Sequence, residues 1–298
     1  MEFNLFTAII LPTALGVIML GMGLGLVPKD FQRVTQDPKA VAIGLISQLV
    51  ILPIIGFIIA SIVPMQSEIA VGLVIVSICP GGPSSNLITY LAKGDIVLSV
   101  ILTALSSIIT VFTIPILANF ALQRFLGQSA AIELPVGQTM LQIFLITLLP
   151  CGLGMWIKHK FPDIARQLEK VTNKLAIVFL LLIISALIIR EWQRLPSFIA
   201  QVGIGVTLLN IISSFTGFLF SKLCKLKISQ QICIAIEVGI QNGTLAIAIT
   251  AGLLKNPDMA VPAAIYSLFM YVTAFIAIFY GRKLASTEVI DLQQFSSK

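Results

Sequence analysis

Charge is what this chain has least of. Only 11% of its 298 residues are Asp, Glu, Lys or Arg, and 57% are hydrophobic. The mean hydropathy of +1.02 does not suit a water-soluble chain of this length and points to a polytopic membrane protein. The single histidine, His159, stands in the basic run Lys158-His159-Lys160. That is a solvated interfacial setting, so neither a histidine-ligated metal nor a catalytic histidine is expected. Cys79, Cys151, Cys224 and Cys233 lie within or at the ends of apolar spans without a CxxC pair, and read as small buried hydrophobes. Asp30, Asp37, Asp95, Asp163, Asp258 and Asp291 all fall at span ends or in loops. An intramembrane aspartyl protease would need two of them at depth, and a serine protease would need a basic partner there. Neither is present, and no enzyme is expected. A basic n-region is also missing from the N-terminus, whose only early charge is Glu2. The first apolar stretch is therefore read as a retained span, not a cleaved signal.

What is present is apolar length. Crossing a bilayer core of about 30 Å takes roughly 20 helical residues. Nine stretches qualify, near 3–26, 39–63, 68–93, 96–123, 135–157, 172–190, 197–221, 228–253 and 259–281. The expected fold is an all-α polytopic membrane protein with nine transmembrane helices, a single transporter unit over 1–298, and a short polar cytoplasmic tail at 284–298. The net charge of +6 is not a nucleic-acid signature; membrane proteins gather Lys and Arg on cytoplasmic loops. Nine spans put fifteen basic residues on one side: Lys29, Arg33, Lys39, Lys93, Lys158, Lys160, Arg166, Lys170, Lys174, Lys222, Lys225, Lys227, Arg282, Lys283 and Lys298. Only Arg124, Arg190, Arg194 and Lys255 fall on the other. That asymmetry places the chain in the cell membrane with its N-terminus outside and its C-terminus cytoplasmic. Lipid is the one macroscopic partner implied, with no obligate protein partner.

Two spans are interrupted. The third contains Cys79-Pro80-Gly81-Gly82-Pro83-Ser84-Ser85-Asn86, and the eighth Glu237-Val238-Gly239-Ile240-Gln241-Asn242-Gly243-Thr244. Glu237 is the one acidic residue in the middle of a span, and a carboxylate at that depth marks an ion or substrate pathway by default. Spans 1–4 and 6–9 overlay with span 5 as connector, which makes any repeat an inverted one, with the broken spans third in each set. A helix that stops frees carbonyls suited to a hard cation, and one that restarts frees N–H groups suited to an anion.

The neighbouring polar residues supply neutral oxygens: Ser85, Asn86, Gln241, Asn242 and Thr244, with Gln48 in the second span. Ser99 and Thr103, four apart, share one face of the fourth span. Singly, such residues are more often bonded to their own helix or to a neighbour. Together, around one carboxylate and without thiolate or imidazole, they suit Na⁺ better than Zn²⁺ or Cu²⁺. Proton coupling through Glu237, or an uncoupled organic-anion carrier, is the alternative; a proton relay needs fewer fixed oxygens than this.

Pro80-Gly81-Gly82-x-x-Ser85-Asn86 and Glu237-Val238-Gly239-Ile240-Gln241-Asn242 resemble the two crossover motifs of the bile acid:sodium symporter family, and the likeness runs from the first span to the ninth. The resemblance implies a nine-span prokaryotic-type member that lacks the family's first helix, with two broken helices crossing. It implies a panel domain, near 1–26, 135–157 and 164–190, facing a core domain near 39–123 and 197–283. One sodium site would use Ser85, Asn86, Ser99, Thr103 and Glu237. A second would use Gln48, Glu237, Gln241 and the carbonyls of Val238 and Ile240. The implied activity is sodium-coupled symport, by alternating access, of an organic anion such as a bile acid, pyruvate or another small carboxylate, or a pantoate-like precursor. Its expected neighbours are Pro83, Asn86, Asn242, Thr244 and Tyr271. Pro83 departs from the small or hydroxylic residue common there in bacterial relatives.

Overall fold

A computed structural model describes residues 11–27, 31, 33–127, 134–190 and 195–296. Residues 3–10 of the expected first span, and Lys29, Arg194 and Lys298 of the charge tally, lie outside them. Among the described residues every named element is helical. Besides the short turns Arg33–Gln36 and Asp258–Ala260, the helices are α1 (Leu11–Leu24), α2 (Pro38–Ile62), α3 (Ser67–Ile78), α4 (Ser84–Leu91), α5 (Ile96–Leu126), α6 (Val136–Lys160), α7 (Pro162–Arg190), α8 (Leu195–Leu223), α9 (Ile228–Gly239), α10 (Gly243–Leu253) and α11 (Val261–Ser296). Among the described residues five stretches are long and apolar enough to cross a membrane: Pro38–Ile62, Ile96–Leu126, Val136–Lys160, Val202–Leu223 and Asp258–Ala285. Their outward faces carry Ile54, Phe112, Ile116, Phe120 and Phe275, all exposed, a surface that lipid tolerates and water does not.

The two interrupted spans resolve as α3 followed by α4, and α9 followed by α10. α3, α9 and α10 lie in the interior, while α4 buries Ser85, Ile88 and Thr89 and turns Leu87 and Tyr90 outward. Every residue from Ile69 to Ile78 of α3 is buried, as is every residue from Gly243 to Ile247 of α10. Broken backbone at depth is tolerated only where protein or water can satisfy its polar groups.

In α2 and α6 a π-helical turn sits just ahead of a proline: Ser47–Ile51 before Pro53, and Phe144–Leu148 before Pro150. Proline has no N–H, and its ring collides with the carbonyl four residues back. A wider turn lets each helix run on, and in α2 that turn carries Gln48.

Two boundaries differ from the sequence reading. α7 starts at Pro162, not near 172, because the charged stretch after it still consists of good helix formers with proline at the first position. Lys158 and Glu169, 3.6 Å apart, tie that start to the end of α6. Residues 284–296, read as a polar tail, continue α11, since no glycine or proline follows Gly281 to stop it.

α1 packs on α6 and α7. Gly154 lies so close to the Leu20–Leu24 backbone that any side chain there would collide with it. The other helices pack mainly on one another: α3 on α2, α5 and α11, and α9 on α8, α5 and α11.

Candidate functional site at the helix crossing

The breaks in α3–α4 and α9–α10 meet. Gly81 and Gln241 form an isolated antiparallel bridge. Gly82 N–H donates to Ile240 O (2.8 Å) and Asn242 N–H to Pro80 O (3.0 Å). Each break thus satisfies backbone groups the other leaves free. Glycine keeps this contact open: a Cβ on Gly81 would run into the Glu237 carboxylate and displace it.

Glu237, in the last turn of α9, is 1% exposed. Its Oε2 accepts from Ser99 Oγ (2.9 Å) and its Oε1 from Thr103 Oγ1. Both donors come from α5, whose start is fixed twice. Asp95 Oδ1 caps it by accepting from Leu98 N–H (3.1 Å), and Asp95 N–H donates to Ser229 O at the start of α9 (2.9 Å). α4 adds the rest. Asn86 Oδ1 lies 2.9 Å from Ser99 Oγ, and Ser85 Oγ lies 3.4 Å from Thr103 Oγ1. The five residues Ser85, Asn86, Ser99, Thr103 and Glu237 therefore form one cluster.

Two hydroxyls in that cluster each face two acceptors. The Ser99 hydroxyl has one hydrogen and two acceptors at 2.9 Å, Asn86 Oδ1 and Glu237 Oε2. The Thr103 hydroxyl has one hydrogen for Ser99 O (3.0 Å) and Glu237 Oε1. Among the described residues the buried polar set includes no lysine or arginine, and Glu237 is its only acid. A buried carboxylate with spare lone pairs around it and no buried protein cation is a setting that a small hard cation completes.

A second cluster adjoins the first through the Glu237 backbone. Gln48 Nε2 donates to Gln241 Oε1 (2.9 Å) and to Cys79 O (3.1 Å). Gln241 Nε2 donates to Val238 O (2.7 Å) and, at 3.4 Å, lies near Glu237 O. Gln48, Val238 and Gln241 are thus together. The Ile240 carbonyl is engaged with Gly82 N–H instead, and the Glu237 side chain turns to the first cluster.

The remaining residues separate into two groups. Tyr271 OH reaches Ser84 Oγ (3.4 Å), next to Pro83 at the start of α4. Asn242 and Thr244 are buried on each other, Thr244 Oγ1 donating to Asn242 Oδ1 (2.9 Å). At the α10 start the N–H of Leu245 is not free, since Asn242 Oδ1 caps it (3.0 Å). The donor left there is Asn242 Nδ2, buried and without a hydrogen-bond partner. Two contributors escaped the sequence reading. Thr89 donates to Ser99 Oγ (3.4 Å), and its signal was available three residues after Asn86 on the same helical face. The Cys79 carbonyl holds Gln48, and a backbone group leaves no trace in residue type.

An oxygen-rich cluster around a buried carboxylate, where two interrupted helices cross inside an apolar helical protein, is the arrangement of a membrane transporter. The chain belongs to the Sodium Bile acid symporter family, whose model matches residues 12–198. It is 33% identical, over 91% of its length and 82% of the relative's, to the uncharacterized sodium-dependent transporter YocS of Bacillus subtilis (strain 168). It is 30% identical, over 99% of its length and 68% of the relative's, to the probable chloroplastic sodium/metabolite cotransporter BASS2 of Oryza sativa subsp. japonica. The human ileal sodium/bile acid cotransporter shares 27% identity over 94% of this chain and 81% of its own. The chain is a multi-pass membrane protein and a sodium-coupled transporter.

Proposed function

We propose that this protein carries an organic anion into the cell with Na⁺, by alternating access, and that the crossing holds two coupling ions. The carrying observation is the Glu237 carboxylate, buried among hydroxyl and amide oxygens, sharing the Ser99 and Thr103 hydroxyls with other acceptors, with no buried lysine or arginine among the described residues. One ion is held by Ser85, Asn86, Ser99, Thr103 and Glu237. The other is held by Gln48, Gln241, Glu237 and the carbonyls of Val238 and Ile240, so that the one carboxylate offsets the charge of both cations. In that second place the Gln48 and Gln241 amides already gather carbonyl oxygens, so a modest rotation of each turns oxygen lone pairs inward.

The anion docks at the same crossing. Asn242 Nδ2 is an unused buried donor, and among the described residues no lysine or arginine is buried to do this work, so a carboxylate is drawn by that amide, the start of α4 and the adjacent cations. Pro83, Asn86, Thr244 and Tyr271 line the approach. The nine-span reading counts α3–α4 and α9–α10 as one span each. The reciprocal bonds between the breaks support an inverted repeat. The packing of α1, α6 and α7 together supports a panel, with α2–α5 and α8–α11 as the core that moves against it; the split of basic residues between the loops supports an N-terminus outside and a C-terminus in the cytoplasm.

The test is uptake into proteoliposomes of labelled pyruvate, pantoate and a bile acid, each with an inward Na⁺ gradient and with choline in its place. At least one should accumulate above equilibrium with Na⁺ only. Accumulation that follows a proton gradient and ignores Na⁺ would overturn the reading.

A further inference from the structure

The five carbonyls from Ile236 to Ile240, at the end of α9 and the break after it, can each be traced. Ile236 O accepts from Ile240 N–H (2.8 Å), and Ile240 O from Gly82 N–H (2.8 Å). Val238 O and Glu237 O face Gln241 Nε2. Gly239 O alone is held by side chains from outside the crossing. Asn210 Nδ2 of α8 donates to it at 2.8 Å and Tyr266 OH of α11 at 2.9 Å. Asn210 Nδ2 also donates to Tyr266 OH (3.0 Å), which closes a triangle of three hydrogen bonds. Asn210 and Tyr266 are both 0% exposed.

The triangle exacts a visible cost. Asn210 Oδ1 is buried without a hydrogen-bond partner, a loss that native interiors seldom accept without a reason. Turning the amide over would bring that oxygen against Gly239 O, two acceptors facing each other, so the network fixes the orientation. Behind the triangle, an apolar cavity of about 660 Å³ between α8, α9 and α11 is bordered by Asn210, Gly239 and Ile240. Without the clamp the carbonyl would border mostly apolar space.

We propose that Asn210 and Tyr266 are positioning residues: by pinning the Gly239 carbonyl they set the peptide planes on either side, and so aim the Val238 and Ile240 carbonyls for the second ion. This rests on reading the crossing as a sodium site. Neither residue touches the ion; they act through the backbone between its ligands.

The test is a titration of Na⁺ against thermal unfolding, with KCl holding ionic strength constant, on wild type, Tyr266→Phe, Asn210→Leu and Glu237→Gln. Tyr266→Phe removes one hydroxyl and Asn210→Leu removes the amide with its orphaned oxygen, so each breaks the clamp by a different route. Each should raise the half-saturating Na⁺ concentration by about fivefold, the effect of one buried hydrogen bond on a binding constant. A clamp that only holds helices together would lower the unfolding temperature equally in K⁺ and Na⁺ and leave the midpoint where it was, and that result overturns the proposal. Should one variant fail to fold, the other decides. A sodium midpoint present in wild type and absent in Glu237→Gln, with both clamp variants unshifted, defeats the clamp alone. A wild type with no sodium midpoint defeats the site reading and the clamp with it.

Discussion

Glu237→Gln exchanges a single side-chain atom and removes the only acidic side chain in the buried set of the described residues. The carboxylate now accepts from Ser99 and Thr103. In the amide one of those two oxygens becomes an NH₂, and the cage loses both a lone-pair acceptor and its formal charge. A neutral amide is cheaper to hold at depth than a carboxylate, so unfolding in K⁺ should occur at or above the wild-type temperature. What disappears is linkage. An ion bound only by the folded protein contributes RT ln(1 + [Na⁺]/Kd), about 1.4 kcal/mol at ten times Kd and about 2.7 kcal/mol at a hundred times. In the variant that contribution falls to about zero. Unfolding of detergent-solubilised protein in NaCl, KCl and choline chloride at matched ionic strength reads it directly. The reasoning fails if the variant keeps a wild-type sodium-selective gain, or if wild type responds alike to all three salts.

Four further outcomes follow from the same geometry. Gly81→Ala places a methyl group against the Glu237 carboxylate, and should abolish sodium-selective stabilisation while circular dichroism shows the helix content kept. Gln48→Ala leaves the Gln241 carboxamide and the Cys79 carbonyl without their donor; sodium titration should show a raised midpoint, but a milder loss than Glu237→Gln. Asn242→Ala removes the α10 cap, at about 1 kcal/mol of stability, and removes the unused amide donor. Ligand titration should then show substrate affinity lost with part of the sodium stabilisation retained. Tyr271→Phe deletes a hydroxyl that meets Ser84 at the approach, and in uptake assays should change the half-saturating substrate concentration without moving that for Na⁺.

Much of the crossing is legible in residue type because the membrane makes polarity conspicuous. Glu237, Gln241 and Asn242 stand out against isoleucine and valine, and Pro80-Gly81-Gly82-Pro83 announces a helix that cannot continue. The four-residue step from Ser99 to Thr103 correctly puts both on the face that meets Glu237. The pairing of Gly81 with Gln241 is not legible in the same way, since no local period records a contact between distant segments. Backbone contributions are hidden too: the carbonyls of Cys79 and Gly239 accept their hydrogen bonds whatever their side chains are. Asn210 and Tyr266 are single polar residues in long apolar helices, and in isolation read as ordinary interhelical bonds. The early start of α7 and the extension of α11 beyond Leu284 escape a reading tuned to apolar length, because their charged residues are good helix formers outside the hydrophobic stretch.

The central claim is that the crossing is a sodium site built on Glu237, and equilibrium binding of radioactive sodium to the purified protein tests it most directly. Wild type should bind the ion saturably, displaced by unlabelled Na⁺ and not by K⁺, while Glu237→Gln binds none. Saturable binding of equal strength in the variant, or its absence in a folded wild type, would contradict the account.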